Sequence, residues 1–107
     1  MPYEVSEIVL TAPESVATGE RLPVHILVKA KKAAPGTHLV HVTVSRIPAH
    51  PLPYYARDVV CPKGEGDTYV PLALNDTPGM YVVEACDVLS GVSSRVMVKV
   101  GPKAELH

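Results

Sequence analysis

The chain has 107 residues and a mass of 11.4 kDa, which is enough for one domain, 1–107, with one core. Hydrophobic residues make up 47% and charged residues 20%, a balance that excludes a disordered tail. Ten Lys plus Arg against eleven Asp plus Glu give a formal charge of -1, without the basic excess that a phosphate backbone demands, so nucleic acid is not an expected partner.

Phe and Trp are absent and all five aromatics are Tyr, so the core falls to Val, Leu, Ile and Ala, a composition that favours strands. In chain order, Ser6 to Ala12 is a weak strand candidate. From Arg21, the residues Leu22, Val24, Ile26, Val28 and Ala30 share one face, with Pro23, His25, Lys29, Lys31 and Leu27 on the other. Val40, Val42 and Val44 then alternate with Leu39, His41, Thr43 and Ser45. Three closely spaced prolines make Ile47 to Pro53 an extended crossing, expected to carry the chain from one sheet to the other. Tyr55 to Val60 is a second weak candidate, and the sets Val70/Leu72/Leu74, Tyr81/Val83/Ala85 and Val96/Val98/Val100 complete about seven strands. Between them, 17–20, 34–37, 62–67, 75–79 and 89–91 supply the Gly and Pro that turns need. Pro23 and Pro71 fall inside strands, where a missing donor is tolerated at an edge, a strand start or a bulge. The expected fold is all-β: an antiparallel two-sheet β-sandwich of the immunoglobulin or fibronectin type III kind.

No run approaches the ~18 apolar residues that span a bilayer, so membrane insertion is not expected. Met1 to Leu10 carries Glu4 and Glu7 where an export signal carries a basic and then an apolar stretch. Strand-like sequence begins almost at once and ends before the tail Gly101 to His107, which suggests a module taken from a longer protein, with its core at about 6–100.

The stretch from Asn75 through Asp76, Thr77, Pro78, Gly79, Met80 and Tyr81 to Ala85, followed by Asp87, Val88, Leu89, Ser90 and Gly91, resembles the last hairpin of bacterial immunoglobulin-like modules and of the macroglobulin-like modules of alpha-macroglobulins. Those modules commonly carry PGxYxVxxxDxxSG preceded by xxGExxxxxVxV, and here Thr18, Gly19 and Glu20 lead into the strand from Leu22 to Val28. The resemblance covers roughly residues 15 to 100 and implies a fold, with no chemistry attached. It also implies an accessory place in large bacterial proteins that contain glycoside-hydrolase-like regions. The pattern has its own physical logic: Pro78 and Gly79 reverse the chain, and Tyr81 has the position of a corner tyrosine whose ring enters the core. Asp76 and Asp87 can hold turns, and Gly91 suits a conformation that a β-carbon opposes. The core Trp of antibody-type domains is missing.

The search for chemistry finds little. Cys86 has the opposite parity to Tyr81, Val83 and Ala85 and points away from the core, so a bridge to Cys61 across the sheets is disfavoured, leaving two free thiols as the main reading beside a disulfide. His38 and His41, three apart on a strand, point to opposite faces and cannot share an ion; solvent-facing histidines and no metal are expected. No nucleophile elbow appears, and Asp58, Asp67, Asp76, Glu84 and Asp87 read as loop and solvent-face acids. The one surface segment above background is His50 to Arg57, where Tyr54 and Tyr55 on a stiff proline stretch, with His50 and Arg57, form a candidate ligand-binding platform. The expected function is a non-catalytic accessory module, not an enzyme and without cofactor, serving as spacer or docking surface for neighbouring domains of an exported or cell-surface protein. The alternatives are a carbohydrate-binding module built on Tyr54 and Tyr55, and a homodimer formed by strand addition at an exposed edge.

Overall fold

The computed structural model describes residues 5–30, 37–47, 50–88 and 90–102. Tyr3, Leu89, most of the turn at 34–37 and the tail from 103, His107 included, lie outside the described residues.

Among the described residues nine strands form two sheets: β1 (Val5–Thr11), β2 (Ser15–Ala17), β3 (Arg21–Ala30), β4 (His38–Arg46), β5 (His50–Pro51), β6 (Arg57–Cys61), β7 (Glu65–Pro71), β8 (Gly79–Asp87) and β9 (Ser93–Gly101). One sheet runs β1-β3-β7; the other runs β2-β9-β8-β4-β5, with β6 also paired to β4. The all-β, two-sheet expectation therefore stands, and among the described residues there is no α-helix. The count of about seven is too low because β2 and β5, three and two residues long, are too short to display a period. The sheets are also not purely antiparallel. Thr11 ends the β1 ladder, the chain passes Pro13 into the other sheet, and β2 lies parallel to β9, with Ser15 opposite Lys99.

Alternation places the core. Leu22, Val24, Ile26 and Val28 of β3 meet Val40, Val42 and Val44 of β4, Tyr81, Val83 and Ala85 of β8, and Val98 and Val100 of β9 in one buried cluster. Burying each aliphatic side chain of this kind contributes roughly 1.5–3 kcal/mol. Both strand prolines occupy tolerant places: β1 stops opposite His25, so β3 has lost that neighbour by Pro23, and Pro71 is the last residue of the edge strand β7. With β7 ended, Leu74, expected to face inward, is exposed, while the Leu72 N–H donates to Glu20 O at 3.1 Å and its side chain stays buried.

The stretch Ile47 to Pro53 does not cross between sheets, because β4, β5 and β6 belong to the same one; residues 48 and 49 are outside the described set. β5 and β6 divide the same edge of β4, with Ser45 opposite Pro51 and His38 through Val42 opposite Cys61 through Arg57. The crossing comes later, at the tight turn Pro62–Gly64, where Lys63 adopts φ 55°. Among the described residues no helix is long and apolar enough to cross a membrane.

Candidate functional site

The tyrosine segment folds as a 3-10 turn, Pro53–Tyr55, and the two rings part company. Tyr54 is 65% exposed, but Tyr55 is buried, its hydroxyl donating to Asp76 Oδ2 and accepting from the Ala73 N–H at 2.9 Å. Burial, reinforced by the Asp76 carboxylate, pushes the Tyr55 hydroxyl up to about 12. The rings meet edge to face with centroids 4.6 Å apart. Arg57 turns its guanidinium to the Tyr69 and Tyr55 carbonyls, and His50 is an exposed residue of β5. The paired platform is thus not formed, because Tyr55 belongs to the turn that Asp76 closes on Ala73.

The turn residues also have defined places. The Tyr81 hydroxyl donates to Thr77 O at 2.7 Å, Gly79 opens β8, and Gly91 sits at φ 78°. Asp87 is buried and its carboxylate accepts from the Ser90 N–H at 3.1 Å, the Ser90 hydroxyl at 2.6 Å and His38 Nδ1 at 2.9 Å. Burial raises the Asp87 carboxyl, yet the bonds from Ser90 and His38 outweigh it and hold the group below the ordinary carboxylate value. His38 is therefore no solvent-facing histidine: it shares the inward parity of Val40, and its Nδ1 donates to Asp87.

Cys61, directly opposite His38, also faces inward. Burial pushes its thiol up, with the charges of Asp87 and Asp67 adding, so Cys61 is an inert core thiol. Gly66 packs against it, since a β-carbon there would stand 2.9 Å from Cys61 Sγ.

The outer face of the three-stranded sheet places His25 between two acids of β7, with Nδ1 2.6 Å from Asp67 and Nε2 3.0 Å from Glu65. His25 and Asp67 border a groove of about 390 Å³ formed with Thr11, Pro13 and Pro23. The hydrogen bond to Asp67, joined by both carboxylate charges, holds His25 above its ordinary value. A raised folded pKa means stabilisation that is complete below the unfolded value near ~6.5 and is lost as pH rises through the folded one. The effect is small, because the His25 side chain is 37% exposed. Urea midpoints measured from pH 5.5 to 8.5 should fall slightly with rising pH in the wild type, and His25→Gln should remove that slope.

The outer face of the six-stranded sheet holds a different constellation. His41 in β4 stands directly opposite Asp58 of β6 on one side and Cys86 of β8 on the other, and Cys86 in turn faces Ser93 of β9. All lie at outward positions of their strands. His41 Nδ1 donates to Asp58 Oδ1 at 2.7 Å, so in the neutral ring the lone pair is on Nε2. Cys86 is a disulfide-free, partly exposed thiol that donates to Asp87 O at 3.7 Å. On one flank of this row Val60, Leu39 and Val88 follow across the same strands, 59%, 41% and 53% exposed. On the other lie Thr43 and the Glu84 to Arg95 pair at 3.2 Å, bordering a depression of about 340 Å³. Sequence reasoning missed the row. Parity turned Cys86 and His41 outward, but nothing in the chain says that β4 separates β6 from β8.

Among the described residues no three His, Cys, Asp or Glu side chains converge to hold a metal ion. His25 and His41 each direct a ring nitrogen to a carboxylate, and His38 is closed into the core.

No family model and no curated protein matches this chain. Among solved structures, the superoxide reductase (neelaredoxin) from Ignicoccus hospitalis is similar with a TM-score of 0.62 at 16% identity, covering 91% of this chain and 82% of that one. The β-glucosidase from Listeria innocua in complex with isofagomine gives a TM-score of 0.57 at 19% identity, covering 92% of this chain but 17% of that one. At these identities the likeness is one of fold. It corrects the resemblance drawn from the final hairpin: the fold shared over most of both chains is that of a small enzyme, not of an immunoglobulin-like or macroglobulin-like module, and the glycosidase is matched over only a small part of its length. The expectations of a non-enzyme and of a spacer or docking module fall with it, and the sugar-binding and strand-addition alternatives gain no support from it.

Proposed function

We propose that this chain is a thiol-dependent enzyme whose site is the outer face of the six-stranded sheet. Cys86 is the nucleophile, His41 is the base that accepts its proton, and Asp58 is the positioning residue that fixes the His41 tautomer. The observation that carries this reading is the register that makes Asp58, His41 and Cys86 cross-strand neighbours on β6, β4 and β8, so that the Cys86 thiol reaches His41 by turning away from Asp87 O. A free thiol has a pKa near ~8.5 and is mostly protonated at neutral pH, so a histidine beside it supplies what the sulfur lacks.

The setting also narrows the reaction. Acyl transfer needs donors aimed at a developing oxyanion, and here the amides around Cys86 lie in the β4-β8-β9 ladders, with no helix end to replace them. An electrophile cleaved at an O–O or S–S bond makes no such demand. The site therefore suits thiol oxidoreductase chemistry.

Peptide-resolved alkylation by iodoacetamide between pH 5 and 10 tests the assignment. Cys86 should be alkylated in the folded protein, and Cys61 should stay unmodified until the protein unfolds. His41→Ala should slow Cys86 alkylation at pH 7 by about tenfold, with Asp58→Asn intermediate, whereas a merely structural role would leave the rate in place. Coincident profiles for wild type and His41→Ala would remove His41 from the site and end the proposal.

A further inference from the structure

Resting on that reading of Cys86, we infer that its substrate is an organic hydroperoxide with an apolar body, and that the catalytic cycle closes on an external thiol instead of on Cys61.

The choice of electrophile follows from the leaving group. In thiol–disulfide exchange the departing thiolate is stable by itself, and a lower leaving-group pKa speeds departure. An alkoxide is a far poorer leaving group and needs a proton as the O–O bond breaks. A histidine that has just taken the thiol proton, and is held by Asp58 through its other nitrogen, can deliver it. The Asp58, His41 and Cys86 row therefore fits peroxide cleavage better than disulfide exchange.

The choice of substituent follows from the neighbouring strip. Val60, Leu39 and Val88 are large, exposed and contiguous, one outward position from Asp58, His41 and Cys86 respectively. Hydrogen peroxide makes no use of such a surface. A hydroperoxide with a hydrocarbon body gains by covering it while its terminal oxygen meets the sulfur. On the other flank Thr43 and the Glu84 to Arg95 ion pair stand next to the row, ahead of Val82 and Ile47.

The steps balance. The Cys86 thiolate attacks the terminal oxygen of ROOH; the S–O bond forms, the O–O bond breaks, and the alkoxide takes the proton from His41 to leave as ROH, with Cys86 now a sulfenic acid. Cys61 cannot resolve it, because Cys61 faces the core from β6 while Cys86 faces out from β8. A small-molecule thiol R'SH condenses with the sulfenic acid, releasing water and leaving a mixed disulfide; a second R'SH displaces R'SSR' and restores Cys86. The net reaction is ROOH + 2 R'SH → ROH + H2O + R'SSR'.

The test uses the reduced full chain, cumene hydroperoxide and hydrogen peroxide as paired oxidants, and dimedone trapping read by peptide mass spectrometry. Cys86 should be labelled about tenfold faster with cumene hydroperoxide than with hydrogen peroxide. Val60→Asn and Val88→Asn, both at exposed positions that tolerate a polar side chain, should each lower that ratio toward one. Added glutathione should restore the thiol in repeated turnovers. Equal rates with the two oxidants, or a ratio unmoved by both variants, would overturn the substrate assignment while leaving a normal alkylation profile intact. A Cys61 to Cys86 disulfide in the oxidised protein would overturn the external-thiol cycle. Absence of dimedone adduct in a protein with the expected alkylation profile would exclude peroxide as the electrophile.

Discussion

Asp87→Ala is expected to lower the unfolding free energy by roughly 2–4 kcal/mol, because three donors lose one acceptor and a buried unsatisfied donor costs about 1–3 kcal/mol. Ser90 is exposed, so its N–H and hydroxyl can turn to water. His38 Nδ1 is enclosed between the sheets and has no such recourse, which makes it the main source of the loss. Asp87→Asn keeps one oxygen for His38 and should fall between wild type and Ala. In a chain of this size each kcal/mol moves the melting temperature by roughly 4–8 °C, so the Ala variant should melt at least about 8 °C lower in calorimetry. The pH dependence gives an independent readout. Asp87 has a folded pKa below its ordinary value, so its stabilisation is present above the unfolded pKa near ~3.9 and disappears as pH falls through the folded one. Wild type should therefore lose stability in acid faster than Asp87→Asn. Parallel acid profiles for the two proteins would show that the carboxylate does not hold this end of the core.

The same pair marks how far the sequence could be read. Alternation located β3, β4 and β8 and the inward set from Leu22 to Val28, because a strand with one buried face exposes its period in any window of five residues. It also implied that His38 shares the face of Val40; the polar ring was assigned to solvent because its partner, Asp87, lies 49 residues away on a strand whose neighbours were unknown. Cys86 shows the converse. Its outward parity was legible, and so was that of His41, but the adjacency of β6, β4 and β8 is a long-range pairing that local propensity does not encode. β2 and β5 were invisible for a simpler reason: two or three residues cannot display a period of two. The familiar turn sequence around Gly79 and Gly91 described a hairpin correctly and said little about the company that hairpin keeps, since turn chemistry recurs wherever two strands must be joined. The candidate site lies on the outer face, where no burial pattern constrains side chains and only register brings them together.

Tyr81 carries the other large effect, and two substitutions separate its parts. It is the largest fully buried side chain, at the start of β8, opposite Arg46 of β4 and Val98 of β9. Burial pushes its hydroxyl up, with the Asp76 charge adding and Arg46 opposing, so it stays protonated and donates to Thr77 O across the turn. Tyr81→Ala empties the centre of a core that contains no Phe or Trp to move into the space, and should cost about 3–5 kcal/mol, as aromatic truncations do. Tyr81→Phe keeps the ring and removes only the tether to Thr77, for about 1 kcal/mol. Urea titration with an unchanged m-value should give this three- to fivefold ratio between the two losses. If Phe costs nearly as much as Ala, the turn from Asn75 to Gly79 depends on the hydroxyl more than the core depends on the ring, and β8 is held from its first residue by a hydrogen bond. If instead the ratio holds, packing fixes β8 between β4 and β9. Cys86, five residues further along that strand, then takes its place beside His41 from the same core that buries Tyr81, so Tyr81→Ala should also bring Cys86 alkylation at pH 7 to the rate of His41→Ala, while Tyr81→Phe should leave the rate where it is.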